Sequence, residues 1–219
     1  MKKLIIAIDG PSGAGKGTIA RTLAEHLGYR HVDTGAMYRA VAWKATHDGV
    51  AFDDESAVAG LASRADINVE GGVVSIDGHD ITRAIRTSEM DKAAAAVARL
   101  PRVREILVAR QRSSGEGGGV VMEGRDIGTV VFPGADVKIY LDASEDERAR
   151  RRASDAAHAG SQAGQTAVAE AIKARDTSDT TRKVSPLTIA ADATYIDTTT
   201  MPIDRVVEAV LGLVRDKTR

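Results

Sequence analysis

Apolar positions along the chain fall into two kinds of pattern. Short, nearly unbroken β-rich runs occur at Lys3 to Asp9, Arg30 to Asp33, Gly119 to Glu123, Val137 to Asp142 and Thr194 to Asp197, each ending on an acidic residue. Between them lie stretches of helical period, such as Ile19, Leu23 and Leu27. Strands buried on both faces read as continuous apolar runs, and strand, helix, strand alternation places them in one parallel sheet. The pattern therefore predicts an α/β fold of three layers, with helices on both faces of a five-stranded parallel sheet. Ligands of such sheets sit beyond the carboxyl ends of the strands, where these acids fall.

The alternation lapses once. Roughly 85 residues between the second and third runs do not follow it and form an insert. Within it "INVEGGVVSIDGHDI" has two alternating runs around Gly71 and Gly72, a hairpin signature, flanked by amphipathic stretches at Ala36 to His47 and Glu89 to Leu100. After the fourth run comes "SEDERARRRASDAAHAGSQAG", a charged helix giving way to small and polar residues, as in a solvated flap.

Composition narrows the classes. Hydrophobic residues make up 43% of the 219, which is globular, and 30 Lys and Arg against 31 Asp and Glu leave a net charge of -1. No overall field draws the chain to nucleic acid or anionic membrane, so any anion site is local. Aromatics at 3% do not supply a base-stacking platform. Without cysteine there is neither a thiolate metal site nor a cysteine nucleophile. The apolar run Leu4 to Ile8 is too short for a signal-peptide core, and no later run approaches a membrane span, so a soluble, cytoplasmic protein is expected. A monomer is the expected state.

Local anion chemistry appears at "IDGPSGAGKGT", Ile8 to Thr18. A strand ending at Asp9, glycines at 10, 13 and 15 directly before Lys16, and a helical pattern after it form the strand, loop, helix context of a P-loop. Backbone amides of Gly10, Pro11, Ser12, Gly13, Ala14, Gly15, Lys16, Gly17 and Thr18 (proline apart) would converge on phosphate oxygens, with the helix N-terminus and Lys16 adding positive potential. A plain glycine-rich turn is the competing reading. Gly17 follows the lysine where a hydroxyl is usual, and the hydroxyl comes one later at Thr18.

The loop does not choose the acceptor, since "GPSGAGK" is also similar to guanylate kinase. Further along, "VDTGAMYR" (Val32 to Arg39), "IRT" (Ile85 to Thr87), "PRVRE" with "RQR" (Pro101 to Arg112), "GRDIGTVVFP" (Gly124 to Pro133), "VKIYLDAS" (Val137 to Ser144) and the series Arg175, Asp179, Arg182 resemble, in that order and over essentially the whole chain, the bacterial cytidylate kinases. The resemblance implies ATP, Mg²⁺ and CMP (with dCMP) as ligands. It implies a core of residues 1–35, 101–147 and 165–219, an acceptor-binding insert at 36–100 and a lid at 148–164. It makes Arg39 and Arg125 ligands of the acceptor phosphate, a role suited to a guanidinium fork. Thr34, Arg104 and Asp126 fall on the nucleoside side, and Ala95, where relatives often carry a small polar residue, leaves Arg104 a larger share of base recognition. Arg175 would reach phosphate, with Asp179 and Arg182 serving the sugar or the transferring group.

One pattern points the same way independently. Val168, Ala171 and Ile172 define a helix face that Arg175, Asp179 and Arg182 continue, so an inward face turns charged, as where a helix passes from core to polar cleft. A helix end projecting into water would give the same pattern. Arg148, Arg151 and Arg152 share a face in the flap, with Glu147 four residues before Arg151; they read either as a salt-bridged exposed helix or as lid arginines over ATP. Asp9 and Asp142 could hold magnesium waters or simply cap loops. Transfer to a phosphate oxygen needs no base, so Lys16, Arg125, Arg175 and Arg182 would carry catalysis. A hydroxyl-phosphorylating kinase, the alternative, would want an acid such as Asp33 or Asp126, and a non-enzymatic nucleotide-binding module is a third reading.

Overall fold

A computed structural model describes residues 3–154 and 165–218. Five parallel strands form the central sheet: β1 (Ile5–Asp9), β2 (Arg30–Asp33), β6 (Val120–Gly124), β7 (Val137–Asp142) and β8 (Thr194–Asp197), in the order β2-β6-β1-β7-β8. The central strands β1 and β6 are buried almost throughout, whereas edge strand β2 is half-buried and edge strand β8 largely open to solvent. β1 and β6 are the two most continuous apolar runs, and their boundaries shift from the sequence reading by up to two residues, as strand ends do.

Helices close both faces. α1 (Lys16–Leu27) and α8 (Ile203–Thr218) pack Ile19, Leu23, Val207 and Val210 onto Ile6, Ile8, Val121 and Ile139. On the other face Val108 of α5 (Pro101–Gly115) joins Ala7, Val32, Val120 and Met122. The "GRDIGTVVFP" segment forms a single π-helical turn, Ile127–Val131, closed by Val131 N–H onto the Asp126 carbonyl at 3.1 Å. Wide turns of this kind recur at functional sites.

The insert has its own core. α2 (Thr34–His47), α3 (Glu55–Arg64) and α4 (Ser88–Val97) bury Val41, Val58, Ala62, Ala94 and Val97 together with Ile76 and Ile81. Val103 and Leu107 of α5 belong to the same cluster, so α5 serves both cores. A small antiparallel sheet flanks it: β3 (Ile67–Glu70), β4 (Val73–Ile76) and the two-residue β5 (His79–Asp80). The hairpin expected at Gly71 and Gly72 joins β3 to β4, and both glycines have positive φ, 59° and 82°, as a two-residue primed turn requires.

α6 (Glu145–Ser154) and α7 (Gln165–Thr181) complete the chain. The expected lid begins within α6, and its residues 155–164 lie outside those described. Among the described residues no helix is long and apolar enough to cross a membrane.

Candidate active site

At the carboxyl ends of β1, β2 and β6 the chain leaves a cavity of about 1070 Å³. Ser12 to Thr18 line it. Gly15, at φ 89°, turns the loop into α1 and offers no side-chain cap, so the first amides of α1 face an anion site uncompeted. Lys16 folds back over the loop and donates from Nζ to the Pro11 carbonyl at 2.7 Å. Burial, with the Arg125 cation adding to it, lowers its pKa to about 7.

The loop is braced from behind. Asp176 of α7 accepts from Ser12 N–H at 2.9 Å and pairs with Arg148, whose guanidinium also donates to the Ser12 and Ala143 carbonyls at 3.0 Å each. Arg148 thus fastens α6 to the loop from outside the cavity lining. Arg151 does line the cavity, held by Glu147 at 2.7 Å and by Thr198 Oγ1 at 2.9 Å. Gly10 and Pro11 form the root of the loop.

The same cavity is lined by a lattice of arginines and carboxylates. Arg39, Arg104, Arg125, Arg152, Arg175 and Arg182 all line the cavity, as do Thr34 and Asp126. Asp179, only 1% exposed, stands behind them: Arg125 Nε and Arg175 Nε donate to its Oδ2 at 2.8 and 3.2 Å, and Arg182 lies 3.7 Å from Oδ1. Burial would raise its pKa, but these three cations bring it below the ordinary carboxylate value. Asp126 pairs with Arg104 and lies 3.5 Å from Arg182. Arg104, 2% exposed, sits over the Tyr38 ring at 5.4 Å. Arg104 Nε, Arg182 Nη2 and the Tyr38 hydroxyl are buried without a hydrogen-bond partner, so the site holds donors that a ligand could satisfy. Thr34 donates to the Glu123 carbonyl at 2.7 Å, fixing the start of α2 against β6.

The strand-end acids take the capping alternative. Asp9 accepts from the amides of Ile127 and Gly128 at 2.8 and 2.7 Å, pinning the π turn, and burial pushes its pKa up to about 6. Asp142 accepts from Ala143 N–H and from the Tyr195 hydroxyl. Two other strand-end acids, Asp33 and Glu123, do line the cavity. Glu123 is buried and paired with His31 Nε2 at 3.0 Å; its Oε1 lies 3.1 Å from where a Cβ of Gly17 would be, so the missing hydroxyl after Lys16 leaves room for this carboxylate. Among the described residues no group of three or more His, Asp or Glu is placed to hold a metal unaided.

Sequence reasoning missed Glu123, Asp91, Asp176 and Tyr38. Asp176 continues the Ile172 to Asp179 face at helical spacing, and Asp91 lies one turn before Ala94 and Ala95, so both were readable as charged positions on inward faces.

The chain matches known proteins throughout. The family model described as cytidylate kinase covers residues 6–216. A cytidylate kinase of Pelotomaculum thermopropionicum is 50% identical over 214 residues, covering 95% of each chain. One from Bacillus subtilis is 46% identical over 222 residues, covering 100% of this chain and 99% of the relative. Among solved structures, a gluconokinase from Sinorhizobium meliloti superposes with a TM-score of 0.53 at 15% identity, covering 99% and 95% of the two chains. A shikimate kinase from Bacteroides thetaiotaomicron gives 0.51 at 13% identity, covering 97% and 98%. At such identities the likeness is one of fold.

Proposed function

The chain belongs to the cytidylate kinase family, and from that premise we propose how it carries out ATP-dependent phosphorylation of CMP, with dCMP as a second acceptor. The Ser12 to Thr18 loop and the α1 N-terminus hold the β- and γ-phosphates of ATP, and Lys16 turns from the Pro11 carbonyl to the transferring group. Those phosphates restore its charge. Arg39 and Arg125 hold the acceptor phosphate, Arg175 and Arg182 neutralise the group in flight, and Arg151 and Arg152 reach in from α6. Arg104 and Asp126, side by side at the cavity wall, read the base, and residues 36–100 act as the acceptor-side insert.

Mg²⁺ bound with ATP fits this donor set. Magnesium in kinases keeps several waters and takes one or two carboxylates besides phosphate oxygens, and Glu123 beside Gly17 and Thr18 offers one such carboxylate. When bound, the ion would supply charge neutralisation between the phosphates.

The observation that carries this reading is one cavity lined both by a phosphate-binding loop and by six arginines with Asp126. A hydroxyl acceptor is disfavoured because Asp33 caps α2 through Ala36 N–H at 3.0 Å and Asp126 is engaged by Arg104, leaving neither as a base. ADP release measured with CMP, dCMP, UMP, AMP, GMP and shikimate tests it. CMP and dCMP should lead in kcat/KM; a preference for shikimate or GMP would overturn the reading.

A further inference from the structure

Asp91 has no part in the mechanism above, yet three of its arginines meet there. The Asp91 carboxylate accepts from Arg39 Nε of α2 at 3.1 Å and pairs with Arg152 of α6, while its backbone carbonyl accepts from Arg175 Nη1 of α7 at 2.7 Å. Asp91 does not itself line the 1070 Å³ cavity, whereas Arg39, Arg152 and Arg175 do. It lines an adjoining cavity of about 420 Å³ together with them. Arg39 gives Nε to Asp91 while its Nη1 lies 3.9 Å from Asp33, and Arg175 gives Nη1 to the Asp91 carbonyl while its Nε donates to Asp179.

An exposed ion pair is worth little. Here the carboxylate is 23% exposed and joins arginines of two further helices, so each fork is held against rotation from its rear edge. A guanidinium binds phosphate bidentately only in one plane, and a carboxylate that sets that plane acts on phosphate affinity without touching phosphate. The same contacts tie α6, where the expected lid begins, to α4 of the insert.

We propose that Asp91 is a positioning residue of the phosphate site, which orients the forks of Arg39 and Arg152 and couples α6 to the insert. This rests on the reading that Arg39 binds the acceptor phosphate. Calorimetric Kd values for CMP in a double-mutant cycle separate the two. Arg39→Lys alone should weaken CMP; if it does not, that reading falls and the proposal with it. Asp91→Asn should weaken CMP about tenfold, the scale of a charge-assisted hydrogen bond. Combined with Arg39→Lys it should add less than twofold, because the fork it orients is gone, whereas combined with Arg104→Lys on the base side its effect should multiply in full. A Kd within twofold of wild type for Asp91→Asn, or full multiplication with Arg39→Lys, overturns the proposal alone. Melting temperatures accompany each variant, and Asp91→Glu, which keeps the charge but displaces it, enters the same cycle with the same expectation if Asp91→Asn does not fold.

Discussion

Lys16 holds a cation where burial and the Arg125 charge lower its pKa to about 7 from the usual 10.5. Between those values the unfolded chain binds the extra proton, so the destabilisation is full below pH 7, declines as pH rises through the window and is gone above 10.5. Lys16→Met keeps the stem and removes the charge. At pH 6 it should stabilise the ligand-free protein by about 1–3 kcal/mol, with less gain at pH 9, while turnover falls by about 10²–10³-fold. Thermal melts at both pH values check it; a lower melting temperature at pH 6 would contradict the account. Asp179 is the opposite case, a carboxylate whose two oxygens already face three arginines. Asp179→Asn should therefore lower kcat/KM for CMP and dCMP alike, by about 2–4 kcal/mol, because arginines lose their orientation. A loss confined to CMP would give this carboxylate to the ribose 2′-hydroxyl instead.

At the scale of elements, α2 connects the site to the insert. Arg39 lies one turn before Trp43, which is partly buried on the insert core and stacks on His47 with ring centroids 4.9 Å apart, away from the cavity lining. If CMP draws Arg39 inward, α2 moves and the stack changes, so saturating CMP should alter Trp43 emission. Unchanged emission with binding shown by calorimetry would mean that α2 stays still. The five strands were legible because they pair within one sheet and their apolar runs are short and bounded, and the hairpin because two adjacent glycines can take positive φ. α3 was not. Its sequence ESAVAGLASR buries Val58, Ala59, Leu61 and Ala62 against α5 and α2, but only Val58 and Leu61 are large enough to stand out as an apolar face. The π turn was read as a motif only, since Ile127, Val130 and Val131 look like strand residues; it is the two amides held by Asp9 that bend the chain there.

Over the whole molecule, sequence named the arginines more completely than the acids that position them. A P-loop announces itself by spacing, and arginines on inward faces are conspicuous, but which acid stands behind which arginine depends on how α4, α6 and α7 converge: Asp91 and Asp176 are far in sequence from Arg39 and Arg148. Arg148 shows the cost of reading a face alone, since it shares a helix with Arg151 and Arg152 yet braces the loop. In the proposed site, base choice likewise belongs to the assembled molecule. Asp126 follows β6 of the core, whereas Arg104 and Tyr38 sit on helices that carry the insert, and folding sets an acceptor beside a donor at the cavity wall. Cytosine presents a donor at N4 beside acceptors at N3 and O2; uracil presents an acceptor at O4, which would oppose the Asp126 carboxylate. Asp126→Asn can turn a donor toward O4, and loss of the Arg104 pair weakens both substrates together, so the ratio isolates the base. The most direct measurement is kcat/KM for CMP and for UMP in wild type and Asp126→Asn. The CMP preference should narrow by roughly 1–3 kcal/mol in the variant; an unchanged ratio, with both substrates suffering alike, would contradict Asp126 as the reader of the base.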